Sequence, residues 1–366
     1  MNTFPFTPLV EKLPATIPFI GPETFERETG RVFKARVGAN ESAFGISPRA
    51  QQAMIDAIDS VGWYNDPENY DLRLALAQEY NVSVDEIGVG GGIDDLLGLV
   101  VRAVLEPGQV TVASTGSYPT YHYHIAGFDA ISHTVPYRGD RNDLDALIDA
   151  VHKTGSHLVY LATPDNPTGT WHTAVEQQAF IDALPDNCIC ILDEAYFEFA
   201  PDEAVLPIHP HDPRVIRMRT FSKAHGMAGA RVGYAIAHPE IVTAFDKIRL
   251  HFNVNRIAQI GALVSLGDHA FIRSVVDQVA EGRCEYDALG RDLDLPTLPS
   301  ATNFVAFDCG TPERAQHILD ALIERGVFVR KPAVPPLDRL VRVTVGTLEE
   351  RAIFAEAFTK VISQNR

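Results

Sequence analysis

Residues 220–234 read TFSKAHGMAGARVGY and set one lysine, Lys223, among hydroxyls, small residues and a guanidinium. An amine in water is almost fully protonated at pH 7, so a reactive lysine needs desolvation or a neighbouring cation, which Arg231 could supply. Thr220 and Ser222 offer hydroxyls, and the planar fork of Arg231 suits a phosphate dianion. The segment therefore predicts a lysine held for covalent chemistry beside a bound phosphate. The alternative is a lysine on a flexible surface turn.

Composition bounds the class of protein. The chain has 366 residues, of which 46% are hydrophobic and 22% charged, as in a soluble protein with a large domain and a smaller companion. The 31 basic and 48 acidic residues give a formal charge of −17, which disfavours attraction to nucleic acid or to an anionic membrane. Residues 1–10 lack the basic start and apolar run of a targeting signal, and no apolar stretch approaches the ~20 residues of a membrane span. We therefore expect a cytoplasmic protein that acts on small molecules.

Two of the four cysteines, Cys188 and Cys190, lie in the apolar run NCICIL at residues 187–192. A Cys-x-Cys pair could bind a metal ion, but no second cluster of ligands with suitable spacing follows it. We expect buried, reduced thiols and no metal site.

Short β-branched runs alternate with helical stretches from residue 46 to residue 270, which favours a mostly parallel sheet covered by helices on both faces. The predicted strands are residues 110–113, 131–135, 158–161, 188–192, 215–218 and 234–237. The predicted helices between them are residues 94–105, 143–151 and 174–184. Residues 46–270 are therefore the predicted large domain.

The two ends of the chain have a different character. Residues 1–45 are rich in Pro, Gly and Phe without a sustained period, so we expect an arm that joins the smaller domain and reaches a partner subunit. Residues 271–366 begin with a long helical stretch and predict a small α+β domain. Its predicted strands are residues 303–307, 327–329 and 341–345, and its later helices are residues 312–325 and a final helix from residue 348.

Further motifs fall in loops that follow predicted strands, where open α/β sheets place their ligands. Asn166 lies in ATPDNPTGT at residues 162–170, where two prolines and a glycine fix the turn. Such a turn is also common as a plain connection. The glycine-rich turn VGGGIDDL at residues 89–96 opens a helix, whose free amides and dipole favour an anion. Alone, it is equally a link between strand and helix.

Asp193 and Tyr196 follow the strand that ends at residue 192. An acid at the end of a buried strand is costly unless it meets a cation or several donors, and a protonated ring nitrogen would serve. Tyr196 can direct its phenol to the same side. The alternative is that Asp193 only caps the next turn.

These residues, in this order along the chain, resemble those of the fold type I pyridoxal phosphate enzymes, and among them the class I/II aminotransferases of the histidinol-phosphate aminotransferase group. The resemblance runs from GANES at residues 38–42 to VRVTVGT at residues 341–347. It implies an aspartate aminotransferase-like α/β fold, with a mostly parallel sheet of the seven-stranded type in a large cofactor-binding domain and a smaller α+β domain. It also implies a homodimer that binds pyridoxal 5′-phosphate.

The resemblance implies a role for each matching residue. Lys223 would form a Schiff base with the cofactor and move a proton between the substrate Cα and the cofactor. Asp193 would keep the pyridine nitrogen protonated, so that the ring accepts the electron pair left on Cα. Asn166 and Tyr196 would hydrogen-bond the phenolic oxygen of the ring. The cofactor phosphate would be bound by Gly92, Ile93, Asp94, Thr220, Ser222 and Arg231.

Three tyrosines are candidates for further cofactor contacts. Tyr118 resembles the aromatic residue that stacks on the cofactor ring. Its surroundings, SYPTY at residues 117–121, depart from the usual Pro-x-Tyr, so Tyr121 is a lesser candidate. Tyr64 is similar to the tyrosine that reaches across the dimer to the phosphate in the neighbouring subunit.

Substrate binding is assigned by the same resemblance. Arg342 matches the arginine that grips the substrate α-carboxylate, and its alternative is a charged residue on an edge strand. Asn40 would help to orient that carboxylate. Arg330 resembles an arginine that histidinol-phosphate enzymes use on the substrate phosphate, which favours a phosphorylated or acidic side chain. The Tyr-x-Pro-Gly element common in that group is replaced by IPFIGP at residues 17–22, so aromatic amino acids stay open as substrates.

The expected reaction is transamination in two half-reactions, with glutamate as the amino donor and a keto acid or aldehyde as the acceptor. Decarboxylases and carbon-sulfur lyases share the fold and most of these residues, so they are the nearest alternative. A non-catalytic regulator fused to a DNA-binding module is a further alternative. The acidic charge and the lack of a basic helix-turn-helix segment argue against it.

Overall fold

The computed structural model describes residues 4–15, 19–208 and 212–364. Its strands are β1 (Ala35–Arg36), β2 (Ile87–Gly90), β3 (Val110–Ser114), β4 (Ile131–Val135), β5 (Leu158–Ala162), β6 (Ile189–Asp193), β7 (Val215–Thr220), β8 (Gly233–Ile236), β9 (Phe304–Asp308), β10 (Val327–Phe328) and β11 (Leu340–Thr344). Its α-helices are α1 (Pro8–Lys12), α2 (Pro22–Thr29), α3 (Pro48–Asp56), α4 (Tyr70–Tyr80), α5 (Ile93–Val104), α6 (Pro119–Gly127), α7 (Leu144–Thr154), α8 (Ala174–Asp182), α9 (Pro239–Ile248), α10 (Arg256–Leu266), α11 (His269–Leu293), α12 (Pro312–Glu324) and α13 (Leu348–Ser363).

Seven strands form the central sheet, in the order β2-β8-β7-β6-β5-β3-β4. Strands β3 to β7 pair in parallel with their neighbours, and β8 runs antiparallel to both β7 and β2. The predicted α/β class and mostly parallel sheet are therefore confirmed. The sequence prediction missed β2 as a strand, because two of its four residues, Gly88 and Gly90, are glycines that hide the β-branched pattern.

Helices cover both faces of this sheet. On one face, α5, α6 and α9 pack their apolar side chains on the sheet, and this cluster includes Leu96, Tyr121 and Phe245. On the other face, α7 and α8 contribute Leu147 and Phe180 to a second cluster. Strands buried on both sides read as continuous apolar runs rather than alternating ones, which is why the strand segments stood out in the sequence.

A second, smaller assembly of elements is built around the antiparallel pair β9 and β11, packed with α11, α12 and α13. The aromatic rings of Phe307, Phe354 and Phe358 pack together in its core, with Phe354 stacked on Phe358 and Phe307 meeting the edge of Phe358. Strand β1 pairs in parallel with β10, so the start of the chain joins this part of the molecule. The segment predicted as an arm thus includes α2 and β1. Neither was predicted, because both are too short to establish a period.

The carboxyl ends of three neighbouring strands place the candidate site. The register pairs Ala162 of β5 with Asp193 of β6, and Asp193 with Met218 of β7. Asp193, at the end of β6, and the loops that carry Asn166 and Lys223 therefore lie along one edge of the sheet, as expected for a parallel sheet. In the described residues, no helix is both long and apolar enough to cross a membrane.

Candidate active site

Lys223 follows β7 by three residues and lies half-buried at the edge of the sheet. Its Nζ donates a hydrogen bond to the backbone oxygen of Asn40 at 3.1 Å and lies 5.4 Å from the centre of the Tyr196 ring. Both neighbours are neutral, and no carboxylate forms an ion pair with this amine within the described ranges. The amine is thus held without being neutralised, which suits a lysine kept for covalent chemistry.

Asp193 ends β6 and is buried, with 5% of its surface exposed. Its Oδ2 accepts a hydrogen bond from the Tyr160 hydroxyl at 2.6 Å, and its Oδ1 accepts one from the backbone N–H of Ala195 at 3.0 Å. Burial raises the pKa of this carboxyl to about 6, and the two hydrogen bonds oppose that rise. The hydrogen bond from Ala195 is the turn-capping contact that was the alternative role for Asp193. Capping a turn does not require a buried carboxylate, so the burial of Asp193 favours a further role.

The predicted phosphate-binding residues meet where α5 begins. Gly92 precedes the helix with a φ of 90°, and a Cβ at this position would lie 2.5 Å from a guanidinium nitrogen of Arg231. The Arg231 guanidinium donates a hydrogen bond to Asp94 Oδ2 at 3.3 Å, so Arg231 and the first turn of α5 are in contact. Arg231 itself has a φ of 57°, in the left-handed region that non-glycine residues rarely adopt.

Two hydroxyls face the same end of the site. Thr220 Oγ1 donates to Ser222 Oγ at 3.0 Å and accepts from the Ser222 N–H at 3.1 Å, and both residues are buried. Together with the first-turn amides of α5, including those of Ile93 and Asp94, these hydroxyls and the Arg231 guanidinium make a donor set suited to a phosphate. The first turn of α5 also carries two acidic side chains, Asp94 and Asp95.

Tyr118 stands directly before α6 and donates its hydroxyl to Asp94 Oδ1 at 2.9 Å. Phe19 stacks on it with ring centres 6.2 Å apart. Burial and the nearby Asp94 charge raise the pKa of Tyr118, which keeps the phenol neutral. Tyr121 has no exposed surface and lies in the core under the sheet, which favours Tyr118 as the stacking residue.

Asn40 connects several of the predicted residues. Its Nδ2 donates to the Tyr196 hydroxyl at 2.9 Å, and its backbone oxygen receives Lys223. The sequence did not indicate the two residues that hold it: Asn303 donates to the same backbone oxygen at 3.1 Å, and Thr344 bonds its N–H at 3.0 Å and its Oδ1 at 3.2 Å. The available signal was a polar residue directly before β9, Asn303, and another at the end of β11, Thr344.

Arg342 lies on β11 and reaches across to the loop after β5. One guanidinium nitrogen donates to Asn166 Oδ1, and another donates to the backbone oxygen of Gly38 at 3.3 Å. Its Nε is buried without a hydrogen-bond partner in the part of the chain that the structure describes. Burial lowers the pKa of Arg342 to about 10. A cation with an unused donor and no carboxylate partner is suited to binding a carboxylate ligand.

Arg330 lies beside Arg342, because the two residues form an antiparallel backbone bridge. Its guanidinium donates to the backbone oxygen of Ile20 at 2.8 Å and lies 5.3 Å from the Phe19 ring. Burial lowers the pKa of Arg330 as well. Residues 17 and 18 of the segment predicted to differ from the histidinol-phosphate group lie outside the described residues, and Phe19 and Ile20 contact Arg330.

Tyr64 lies apart from the other predicted site residues, and among the described residues its contacts are with Phe252 and Arg256. It is 77% exposed and stacks on Phe252 with ring centres 4.5 Å apart. Its backbone oxygen accepts a hydrogen bond from Arg256. Most of its side chain therefore lies at the surface.

The site fits pyridoxal phosphate, the cofactor that the resemblance implies. The donors at the start of α5 suit its phosphate, and the buried carboxylate of Asp193 suits its ring nitrogen. The unpaired Nε of Arg342 marks where a substrate anion could bind. The thiols of Cys188 and Cys190 lie in the core of the sheet, and burial raises the pKa of Cys188 to about 12.

Comparison with known proteins agrees with this geometry. The model of the family described as aminotransferase class I and II matches residues 34–358. A histidinol-phosphate aminotransferase from Sinorhizobium meliloti, whose crystal structure is in complex with pyridoxal-5′-phosphate, superposes with a TM-score of 0.96 at 45% identity, over 99% of this chain and 98% of that chain. Histidinol-phosphate aminotransferase 2 of Carboxydothermus hydrogenoformans is 35% identical over 360 residues, which cover 96% of this chain and 98% of the relative.

A more distant structure shows the fold alone. Aspartate aminotransferase from Thermus thermophilus with maleate has a TM-score of 0.83 at 20% identity, over 97% of this chain and 99% of that chain. The sheet, its helices and the lysine at the strand ends thus define an α/β protein of the aspartate aminotransferase-like fold. The chain belongs to the class I and II aminotransferases, and it is a transaminase of that family.

Proposed function

We propose that this chain is a pyridoxal phosphate-dependent aminotransferase that transfers the amino group between glutamate and a substrate of the histidinol phosphate type. The observation that carries the substrate assignment is the pair of arginines, Arg330 and Arg342, which are joined by a backbone bridge and whose charges act on each other. No carboxylate forms an ion pair with either guanidinium among the described residues. Two unneutralised cations in a chain of formal charge −17 favour a strongly anionic ligand.

The chemistry of histidinol phosphate matches this pair. Its amino-bearing carbon carries a phosphate ester arm instead of a carboxylate, so a single anion with up to two charges lies near the reacting centre. Arg342 would bind the α-carboxylate of glutamate in one half-reaction, and Arg330 and Arg342 would share the phosphate in the other. The names of the similar proteins from Sinorhizobium meliloti and Carboxydothermus hydrogenoformans support this substrate class.

The residues of the chain then divide the work of the reaction. The bound cofactor supplies an electron sink for the pair left when the substrate Cα loses its proton. Lys223 takes that proton and returns it, so it acts as both base and acid. Asp193 holds a proton on the pyridine nitrogen. Asn166 and Tyr196 hydrogen-bond the phenolic oxygen, and Arg342 orients the substrate.

The remaining cofactor contacts follow from the same arrangement. Tyr118 stacks on the ring. Gly92, Ile93, Asp94, Thr220, Ser222 and Arg231 bind the phosphate, the first three through the backbone at the start of α5. Asn40 positions Tyr196 and the substrate carboxylate.

The working unit in this proposal is a homodimer in the cytoplasm, with Tyr64 reaching the phosphate in the neighbouring subunit. Support comes from exposed apolar side chains beside it: Trp63 is 78% exposed and Leu250 is 76% exposed. Large apolar groups clustered on a surface mark a protein interface. We also propose the division into an arm (residues 1–45), a large domain (46–270) and a small domain (271–366).

Cofactor attachment is tested with purified protein reconstituted with pyridoxal phosphate. The wild type is expected to show a visible absorbance band that borohydride reduction fixes covalently to the chain, and Lys223→Ala is expected to lose that fixation. A wild-type chain that never acquires a reducible chromophore would contradict the proposal.

Substrate class is tested by comparing histidinol phosphate with histidinol in the half-reaction that consumes the amino donor. Arg330→Gln is expected to slow the phosphorylated donor about 10- to 100-fold, because one charge-assisted contact is lost, and to leave histidinol unchanged. Equal slowing of both donors would argue against a phosphate contact. A response to aromatic amino acids alone would replace the phosphorylated substrate with an aromatic one.

Product analysis separates transamination from the alternatives that the same fold supports. Transamination conserves amino groups between donor and acceptor, whereas a lyase releases ammonia and a decarboxylase releases carbon dioxide. The expected result is that one glutamate is consumed for each amino group transferred to the acceptor, with no release of ammonia or carbon dioxide.

A further inference from the structure

The buried side chain of Tyr160, on strand β5, contacts Asp193 on the neighbouring strand β6. Tyr160 lies in the middle of β5 and is 1% exposed, and its hydroxyl donates to Asp193 Oδ2 at 2.6 Å. The register sets Tyr160 opposite Ile191, two residues before Asp193 along β6. The side chains of Tyr160 and Asp193 therefore point to the same face of the sheet. They lie on neighbouring strands, offset by two residues, and a tyrosine side chain is long enough to bridge that offset.

The phenol is held in place by its neighbours. Its ring stacks on the Tyr121 ring with centres 4.7 Å apart and planes inclined by 18°. Tyr121 is anchored in turn by Thr111, whose hydroxyl also donates to the backbone oxygen of Leu158 at 2.9 Å. Tyr160 therefore presents its O–H in a fixed direction, and that O–H finds its acceptor in Asp193.

We propose that Tyr160 is a positioning residue that keeps Asp193 ionised and aimed at the ring nitrogen of the cofactor. This inference rests on the proposed role of Asp193. The phenol occupies one carboxylate oxygen, Oδ2, while the Ala195 N–H holds the other, Oδ1, so the carboxylate plane is fixed. The hydrogen bond that Tyr160 donates stabilises the charged form of Asp193. It therefore opposes the rise in the pKa of Asp193 that burial causes.

The effect has to act against apolar surroundings. The same face of the sheet carries Ala162, Ile191 and Met218, which offer no polar contact. The charged and titratable groups around Asp193 are Lys223, whose charge favours the carboxylate, and Asp94, whose charge opposes it.

Tyr160 itself is surrounded by groups that keep it neutral. Burial raises its pKa well above the ordinary value, and the charges of Asp193 and Asp165, together with Tyr118, act in the same direction. The phenol of Tyr160 therefore stays protonated, and able to donate, over the pH range in which Asp193 titrates. An aspartate that binds its proton too strongly would draw it from the pyridine nitrogen and weaken the electron sink.

The experiment measures protonation of Asp193 in the full-length chain without cofactor. The infrared carbonyl band of a protonated carboxyl is followed against pH, and the part that disappears in Asp193→Asn is assigned to Asp193. A hydrogen bond to a charged group corresponds to about one to two pKa units. Tyr160→Phe is therefore expected to raise the titration midpoint of this band by about that amount.

Tyr121→Phe is the matched control. It removes a hydroxyl from the adjacent ring of the same stack, equally buried, whose hydrogen bond goes to Thr111 instead of Asp193. Its midpoint is expected to match that of the wild type. An unshifted midpoint in Tyr160→Phe, or an equal shift in Tyr121→Phe, would overturn the inference.

A second variant tests the opposite sign and does not depend on the folding of Tyr160→Phe. Fluorotyrosine introduced at position 160 is a stronger donor and is expected to lower the midpoint, and a rise or no change would overturn the inference. With ¹⁵N-labelled pyridoxal phosphate bound, the nitrogen chemical shift should move toward the unprotonated value in Tyr160→Phe only. If the chain binds no pyridoxal phosphate, the proposed function fails while the infrared titration still decides the role of Tyr160.

Discussion

Replacing Arg342 by lysine should separate the geometry of substrate binding from its charge. The guanidinium uses one nitrogen on Asn166 and another on the Gly38 backbone oxygen, and its Nε has no partner within the described chain. A planar fork can hold a carboxylate by two parallel hydrogen bonds, whereas an ammonium acts as a point charge. Arg342→Lys therefore keeps the charge and loses one charge-assisted hydrogen bond.

The magnitude follows from that single loss. A hydrogen bond to a charged group is worth about 1.5–3 kcal/mol, which corresponds to a fall in kcat/KM of about 10- to 150-fold. Arg342→Gln loses both the fork and the charge, so about 3–6 kcal/mol, or roughly 150- to 20,000-fold, is expected. The assay is the single-turnover absorbance change of the bound cofactor on mixing with glutamate.

Stability should respond in the other direction. Burial lowers the pKa of Arg342 to about 10, so the fold disfavours the charged form of this side chain. Burying a charge without a partner of opposite charge costs stability, so replacing it by a neutral side chain removes that cost. The thermal midpoint of Arg342→Gln without cofactor is therefore expected to equal or exceed that of the wild type.

Arg325→Lys provides the matched control. Arg325 also binds one backbone oxygen and one side-chain amide oxygen, those of Ala321 and Gln364, but it lies on the far side of the small β9–β11 assembly, between α12 and α13. Its half-reaction should match that of the wild type. The reasoning is refuted if Arg342→Lys reacts with glutamate within about twofold of the wild type, or if Arg325→Lys falls equally.

Three further predictions concern the backbone and a buried acid. Gly92→Ala would place a Cβ 2.5 Å from the Arg231 guanidinium at a φ of 90°, so titration with pyridoxal phosphate should show affinity about 10- to 100-fold weaker. Gly226→Ala would place a Cβ 1.8 Å from the Gly45 backbone oxygen and should cost about 4 kcal/mol or more in denaturant unfolding, whereas Gly229→Ala, with nothing within 4 Å, should change stability by less than about 1 kcal/mol. Burial raises the pKa of Glu198 to about 8, above its value of about 4 in the unfolded chain. The folded chain therefore keeps a proton that the unfolded chain releases, so the free energy of unfolding should fall by a few kcal/mol as pH rises from about 5 to 8. Glu198→Gln should flatten that profile, and an unchanged slope would show that other groups cause it.

Local sequence patterns were enough for the central α/β sheet and for the loops at its edge. Strand β5 and most of strand β6, which precede Asn166 and end at Asp193, are apolar runs, because strands buried on both faces need no polar alternation. Strand β7, which precedes Lys223, has a shorter apolar start and also contains Arg217 and Arg219. Parallel connection then forces their following loops to one edge. Strand β2, with its two glycines, broke this pattern and was found only in the structure.

Contacts between distant segments could not be read in the same way. The partners of Asn40, which are Asn303 and Thr344, come from the other end of the chain. The pairing of Arg330 with Arg342 depends on a backbone bridge between the segment that follows β10 and strand β11, which no local pattern specifies. Motif spacing gave candidates for substrate binding, and the fold decided which of them touch.

The sequence by itself determined the lysine, the aspartate and the order of the motifs, because each is set by residue type and by position at the end of a strand. Only the tertiary structure decided that Tyr160 bonds Asp193 from beneath, because this contact depends on strand register, and a shift of one residue would turn the phenol to the opposite face. The chemistry proposed for Lys223 therefore depends on residue types that lie close together in the sequence, at residues 220–234. The pKa and orientation of Asp193 depend instead on how the strands of the sheet pack together.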